Sequence, residues 1–162
     1  MQRKTITSTL TTAAFAALVA LQPAGVAAKP PSNVPGAEAY QTMVSLTVGN
    51  GANGTNAFSN DPVPADRRLV IEFVSVQMLV PPGQKPQLFL VGLVNGAGMP
   101  YHLPLTLVGT TPGFDEYRAT QQVRVYNDGN GSNGPGIMCS RDRIFAGAAS
   151  CTATISGYLI GK

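Results

Sequence analysis

Two cysteines, one histidine and a thin scatter of carboxylates are the side chains of this chain best suited to chemistry. Cys139 and Cys151 each lie six residues from Phe145. A hairpin centred on Phe145 would set them opposite one another on adjacent strands, where the Cα separation suits a disulfide. An even pair in an exported chain reads as a bridge, and no third ligand or activating base stands near either thiol for metal or nucleophilic work. His102 is the single histidine. A general base there needs a nucleophile presented to it, and the chain has no Gly-x-Ser-x-Gly elbow, no His-Glu-x-x-His and no paired histidines.

The carboxylates fall in turn-rich stretches: Asp61 and Asp66 in one, Asp115 and Glu116 in a second, Asp128 in a third. Asp61 and Asp128 are the pair that could meet around Ca²⁺ with asparagine oxygens. The run Asp128 to Gly134 is a poor calcium loop, however. Asn133 stands where the sharp turn needs glycine, and Cys139 stands where the closing glutamate belongs. A solvated turn is the expectation, and no metal or cofactor is assigned. A sugar surface would use aromatic platforms, but the chain has no tryptophan. Tyr126 is the best-placed candidate, pointing outward, while Tyr101 is expected to face the core. The expected ligand-binding set is therefore Asp61, His102, Tyr126, Asp128 and Asn130, with no catalytic residue assigned.

Short β-type runs separated by Gly, Asn and Pro must position these groups. Tyr40 to Val48 alternates Tyr40, Thr42, Val44, Leu46 and Val48 on one face. Arg68 to Val80, Gln87 to Val94, Tyr101 to Val108, Tyr117 to Tyr126, Ile137 to Arg143 and Ser150 to Ile160 complete seven predicted strands. In Tyr117 to Tyr126, Ala119, Gln121, Val123 and Val125 face one way and the polar residues the other. Pro104 lacks an N–H, which places its strand at a sheet edge. The fold class predicted is all-β, a single antiparallel, jelly-roll-like β-sandwich of about seven to eight strands. Leu69 to Val80 is apolar on both faces, so it is covered within the monomer or by a second subunit. If successive strands run antiparallel, Gly49–Arg67, Asn95–Pro100 and Asp128–Gly136 share one Asn/Gly-rich end, with His102 beside it.

The first residues carry the tripartite pattern of a secretory signal. Arg3 and Lys4 precede the apolar stretch Ala13 to Leu21, and Val26-Ala27-Ala28 offers small residues for cleavage. Gln22-Pro23 interrupts the apolar run before the ~20 residues a membrane span needs. Residues 1–28 are read as signal, 29–39 as a Pro-rich extended arm, and 40–162 as one β-sandwich domain exported to the periplasm or medium. The precursor has 11 basic and 8 acidic residues. Loss of Arg3 and Lys4 leaves the mature chain nearly neutral, which gives no support to nucleic-acid binding.

Three blocks carry a resemblance. Pro64 to Ser75, Gln121 to Tyr126 and Thr154 to Ile160 resemble a group of uncharacterised exported bacterial β-proteins, which implies a fold and supplies no activity. Ile155-Ser156-Gly157-Tyr158-Leu159 is similar to the ending of jelly-roll domains of the C1q and tumour-necrosis-factor type, which form trimers. Neither resemblance transfers a functional residue. The leading functional reading is a non-catalytic exported module that binds a surface ligand or serves as a structural subunit. The alternative is a small secreted hydrolase using His102 at the Asn/Gly-rich end. A homo-oligomer through Leu69 to Val80 is the partner considered.

Overall fold

A computed structural model describes residues 34–143 and 147–162; the expected signal, the start of the expected arm and residues 144–146 lie outside the described residues. Nine strands follow in order: β1 (Glu38–Val48), β2 (Gly54–Phe58), β3 (Arg67–Val80), β4 (Pro86–Val94), β5 (Ala97–Leu103), β6 (Thr106–Thr110), β7 (Asp115–Asp128), β8 (Gly136–Arg141) and β9 (Ala149–Gly161). They form a front sheet ordered β1-β9-β3-β7-β6 and a back sheet ordered β2-β8-β4-β5, all pairs antiparallel. The chain crosses between sheets at nearly every connection, so sheet neighbours such as β1 and β9 are remote in sequence. That winding is a jelly-roll β-sandwich. Of the expected arm, Val34 to Ala37 forms a turn, closed by a hydrogen bond from the Ala37 amide to the Val34 carbonyl.

Period-two patterning decides which faces meet. Tyr40, Thr42, Val44 and Val48 are buried, Leu46 is half-buried, and the residues between them are exposed, as the alternation of β1 requires. Ala119 and Val125 of β7 are buried while Arg118, Thr120, Gln122, Arg124 and Tyr126 are exposed. β3 resolves its doubly apolar pattern differently. Its register shifts between Ile71 and Phe73 against both β7 and β9. This bulge lets Leu69 and Ile71 share the inner face with Val74, Val76, Met78 and Val80, all buried. The strand lies between β9 and β7. The inner set is thus satisfied inside the sandwich, while Val70, Phe73 and Leu79 fall on the outer face of the sheet, Val70 buried and the other two half-buried. Gly157 sits opposite Ile71 beside the bulge, and a Cβ there would run into the Val70 carbonyl.

Three expectations need correction. Gly49–Arg67 is not one loop, because Gly54–Phe58 pairs with β8 as a short edge strand. Tyr101 to Val108 is two strands: the chain leaves the back sheet at Leu103 and enters the front sheet at Thr106, with Pro104 at the step. Proline has no N–H for a ladder, and here it marks the change of sheet. Cys139 and Cys151 are bridged, with a Cα separation of 6.9 Å, but they do not sit on paired strands. β8 and β9 belong to opposite sheets, so the disulfide staples the two layers through the core.

The connections gather at two ends. Arg141 bonds the carbonyls of Gly49, Ala52 and Gly147 and the side chain of Gln84, which ties together the loops of one end. At the other end the Gly129, Gly131 and Gly134 amides donate to Arg67, Val63 and Ser59 carbonyls. This second end holds residues 59–66, the Asn95-Gly96 turn, residues 129–135 and the last residues of β9.

Candidate functional site

The end of β7 builds this second end. Asn127 is fully buried, and its Oδ1 accepts the Leu93 amide at 2.8 Å. Asp128 follows with its side chain 10% exposed; its Oδ2 accepts the Asn95 amide at 3.0 Å and its Oδ1 accepts from Arg68 Nε at 2.6 Å. Two adjacent side chains of the front sheet therefore hold the β4–β5 turn of the back sheet. That turn carries Asn95 at φ 52° and Gly96 at φ 78°, the left-handed pair that a two-residue hairpin requires. Gly129 lies directly against the Pro64 carbonyl, where a Cβ has no room.

Between these elements opens a cleft of about 540 Å³. Arg68, Asp128, Lys162, Asn95 and Asn130 supply its polar groups, and Leu93 and Ile160 its apolar ones. Arg68 also lies 5.7 Å from the centre of the Tyr126 ring, within range of a cation–π contact. Lys162 Nζ donates to the carbonyls of Gly129 at 2.7 Å and Ala65 at 3.1 Å, which anchors the end of β9 to the rim. Asn130 Oδ1 caps its own turn by accepting the Ser132 and Asn133 amides. Among the described residues the Arg68 guanidinium has one bonding partner, Asp128 through Nε, so its terminal amines remain free for another acceptor.

The expected site residues divide. Asp128 and Asn130 line the cleft, and Tyr126 lies beside Arg68, 40% exposed. Asp61 is at the same end but serves another cluster: its Oδ2 accepts from Thr42 Oγ1 at 2.5 Å, its carbonyl accepts from the Tyr40 hydroxyl at 2.6 Å, and its amide donates to Ser59 Oγ. Burial raises the Tyr40 hydroxyl above the usual tyrosine range. Asp61 and Asp128 thus have separate partners, and among the described residues no group of three His, Cys, Asp or Glu gathers. His102 stands apart. It is six residues along β5 from Gly96, roughly 20 Å at strand rise, and its ring packs edge-to-face on Phe89 with centres 5.3 Å apart. Tyr101 shares the inward side with its partner Leu90 yet is 42% exposed, because β5 is an edge strand.

Arg68, Asn95 and Lys162 were not among the expected site residues. Sequence shows Arg67-Arg68 at the start of an apolar run, and only the pairing of Arg68 with Asp128 and of Leu69 with Asn127 brings it to the cleft.

The Asp128 carboxyl is held below the usual carboxylate range, first by the hydrogen bond from Arg68 and next by the Asn95 amide. A carboxyl depressed in the folded state stabilises at pH above its unfolded pKa, and that contribution is lost as pH falls through the folded pKa. The unfolded reference is about 3.9. Thermal melts between neutral pH and about pH 2 are expected to show a fall in Tm beginning near pH 4 that is shallower in Asp128→Asn; equal acid sensitivity of the two proteins would contradict it.

Fold and cleft together define a jelly-roll β-sandwich domain with a cleft of mixed polar and apolar lining at one end. No protein-family model matches the chain, and no curated protein matches it.

Proposed function

We propose that the chain is a non-catalytic exported binding module whose cleft, at the end holding Asn95 and Asp128, takes a polar ligand through a negatively charged group such as the carboxylate of an acidic sugar. The observation that carries this reading is Arg68. Its Nε is fixed by Asp128, its body lies over Tyr126, and its terminal amines have no partner among the described residues. A guanidinium held on one edge presents its remaining N–H fork to a carboxylate without further ordering. Asn95 and Asn130 offer hydrogen bonds beside it, and Leu93 and Ile160 offer apolar surface to a ring face. Export is supported by the tripartite start of the sequence and by the disulfide, which belongs to oxidising compartments. Among the described residues no helix is long and apolar enough to cross a membrane.

Glucuronate and glucose form a matched pair of probes, differing in the carboxylate. Titration monitored by amide chemical shifts is expected to give saturable shifts at Arg68, Asn95 and Asn130 with glucuronate and none with glucose. Arg68→Gln is expected to weaken glucuronate at least about tenfold, a loss of roughly 1.4 kcal/mol. Asp128 is a poorer probe, because it also holds the β4–β5 turn. Shifts of equal size with both sugars, or none with either, would overturn the proposal.

A further inference from the structure

We infer that Asn95 is a self-modification site, at which the Gly96 backbone nitrogen displaces the side-chain amide, and that the aspartate or isoaspartate formed lowers the affinity of the cleft for anions. Asn-Gly permits this reaction because a residue without a Cβ lets its nitrogen approach the preceding side chain. A bond forms between the Gly96 nitrogen and Asn95 Cγ. The Cγ–Nδ2 bond breaks, and ammonia leaves carrying the Gly96 amide proton, which closes a cyclic imide. Water then opens the imide at Cγ, giving isoaspartate's counterpart aspartate, or at the backbone carbonyl carbon, each route ending in one free carboxylate. One water enters and one ammonia leaves, with no oxidant or reductant.

The sequence holds five Asn-Gly steps, at Asn50, Asn53, Asn95, Asn130 and Asn133, and the fold treats them differently. The attacking nitrogen must give up its proton and turn toward the asparagine. Gly131 and Gly134 are held back, because their amides donate to the Val63 carbonyl at 3.0 Å and the Ser59 carbonyl at 3.1 Å. Asn130 is pinned from its other side too, since its Oδ1 accepts the Ser132 and Asn133 amides. Gly54 opens β2 and packs so closely on β8 that a Cβ would stand 3.1 Å from the Cys139 carbonyl, while the Asn53 carbonyl accepts the Arg141 amide. Asn50 and Asn95 are exposed in turns, and the Gly51 and Gly96 amides have no acceptor among the described residues. A two-residue tip at the end of its ladder also opens at far less cost than the core. Of these two asparagines, Asn95 is the one that lines the cleft.

The product changes the charge of that lining. Arg68 and Lys162 stand there against the single carboxylate of Asp128. A carboxylate at position 95 evens the count and competes for the free N–H groups of Arg68. Isoaspartate also lengthens the backbone of a turn that fits two residues between the paired Val94 and Ala97. The modification stands on the chemistry of the turn, whereas its effect on affinity rests on the anion-binding reading of the cleft.

The purified exported protein is incubated in mildly alkaline buffer made with heavy-oxygen water, then mapped peptide by peptide by mass spectrometry. Conversion carrying the heavy oxygen is expected at positions 95 and 50, at least about tenfold faster than at 130 and 133. Asparagine retained at 95, or conversion at 130 and 133 as fast as at 95, would overturn the site. Asn95→Asp, titrated with glucuronate, is expected to bind at least about threefold more weakly than the unmodified protein, and Asn50→Asp equally well. Equal affinity in Asn95→Asp would overturn the effect on the cleft. Glucuronate bound by neither protein would overturn the anion-binding reading and that effect together, while the mass map still decides the modification.

Discussion

Arg141→Met is expected to lower the free energy of unfolding by about 3–5 kcal/mol, because it leaves several buried acceptors unmet at about 1–3 kcal/mol each. Arg141 is 4% exposed, near the end of β8, and none of its hydrogen bonds goes to a carboxylate. Nε donates to the Ala52 carbonyl at 2.9 Å, Nη2 to Gly49 at 2.8 Å, and Nη1 to Gly147 at 2.8 Å and to Gln84 Oε1 at 3.3 Å. Its backbone amide donates to Asn53 as well. One planar cation thus satisfies acceptors from three connections, which carbonyls alone could not do for one another. Methionine fills much of the volume but leaves these acceptors buried and unmet. Arg141→Lys is expected to recover little, since a single ammonium with three donors cannot reach four acceptors set around a fork. Urea unfolding followed by circular dichroism reads the change as a lower midpoint at similar slope. A shift worth less than about 1 kcal/mol in Arg141→Met would show that water takes over the cage, and the account would fail.

The second large effect belongs to the disulfide. Replacing both Cys139 and Cys151 with alanine, or reducing the bridge, is expected to cost about 3 kcal/mol, the chain-entropy value for a loop of this size. The residues are 12 apart in sequence, both sulfurs are in the core, and the bond joins β8 of one sheet to β9 of the other. A bond between layers constrains something that the ladders do not, because no backbone hydrogen bonds hold β8 to β9. The decisive comparison is unfolding with and without reductant. The unmodified protein should lose stability on reduction, and the double alanine variant should be indifferent to it. If reduction leaves the midpoint unchanged, the staple carries no stability. Arg141 and its acceptor Gly147 lie inside the loop that the bridge closes, so the two perturbations are expected to combine non-additively.

The clustering of Asp128 with Asn95 came from strand parity, and the structure places both at one end. The same parity put Gly49–Arg67 wholly at that end, and the reason it failed is β2. Gly54–Phe58 reads Gly-Thr-Asn-Ala-Phe, too short and too weakly alternating to show as a strand, and it carries the chain from one end to the other before residues 59–66 begin. His102 was misplaced for a related reason. The sequence predicts a strand beginning at Tyr101, near the Asn95-Gly96 turn, whereas β5 begins at Ala97 and ends at Leu103, so His102 lies near the far end. In the candidate site, Asp128 and Asn130 were legible as polar turn residues, but Arg68 and Lys162 were not. Each carries no local mark of function and reaches the cleft only through cross-sheet neighbours.

The class of fold and the inward faces of the regular strands can be read directly from the order of residues. A strand repeats every two residues, so Tyr40 through Val48 and Ala119 through Val125 declare their buried sides without any knowledge of partners. The same order specifies the Asn95-Gly96 turn, whose left-handed backbone these two residues tolerate, and the pairing of the two cysteines. The remaining features arise from contacts between segments remote in the chain. The bulge at Ile71 to Phe73 is a shift of register between strands, and register is a relation of one strand to others, absent from any single run of residues. The assignment of β8 and β9 to opposite sheets, which turns the Cys139–Cys151 bond into a staple between layers, depends on a crossing that local propensity does not encode. The cleft has the same origin. Arg68, Asn95, Asp128 and Lys162 meet because long-range ladders and two side-chain-to-amide bonds bring four remote segments to one end, and contacts of that separation are set by how the whole core packs.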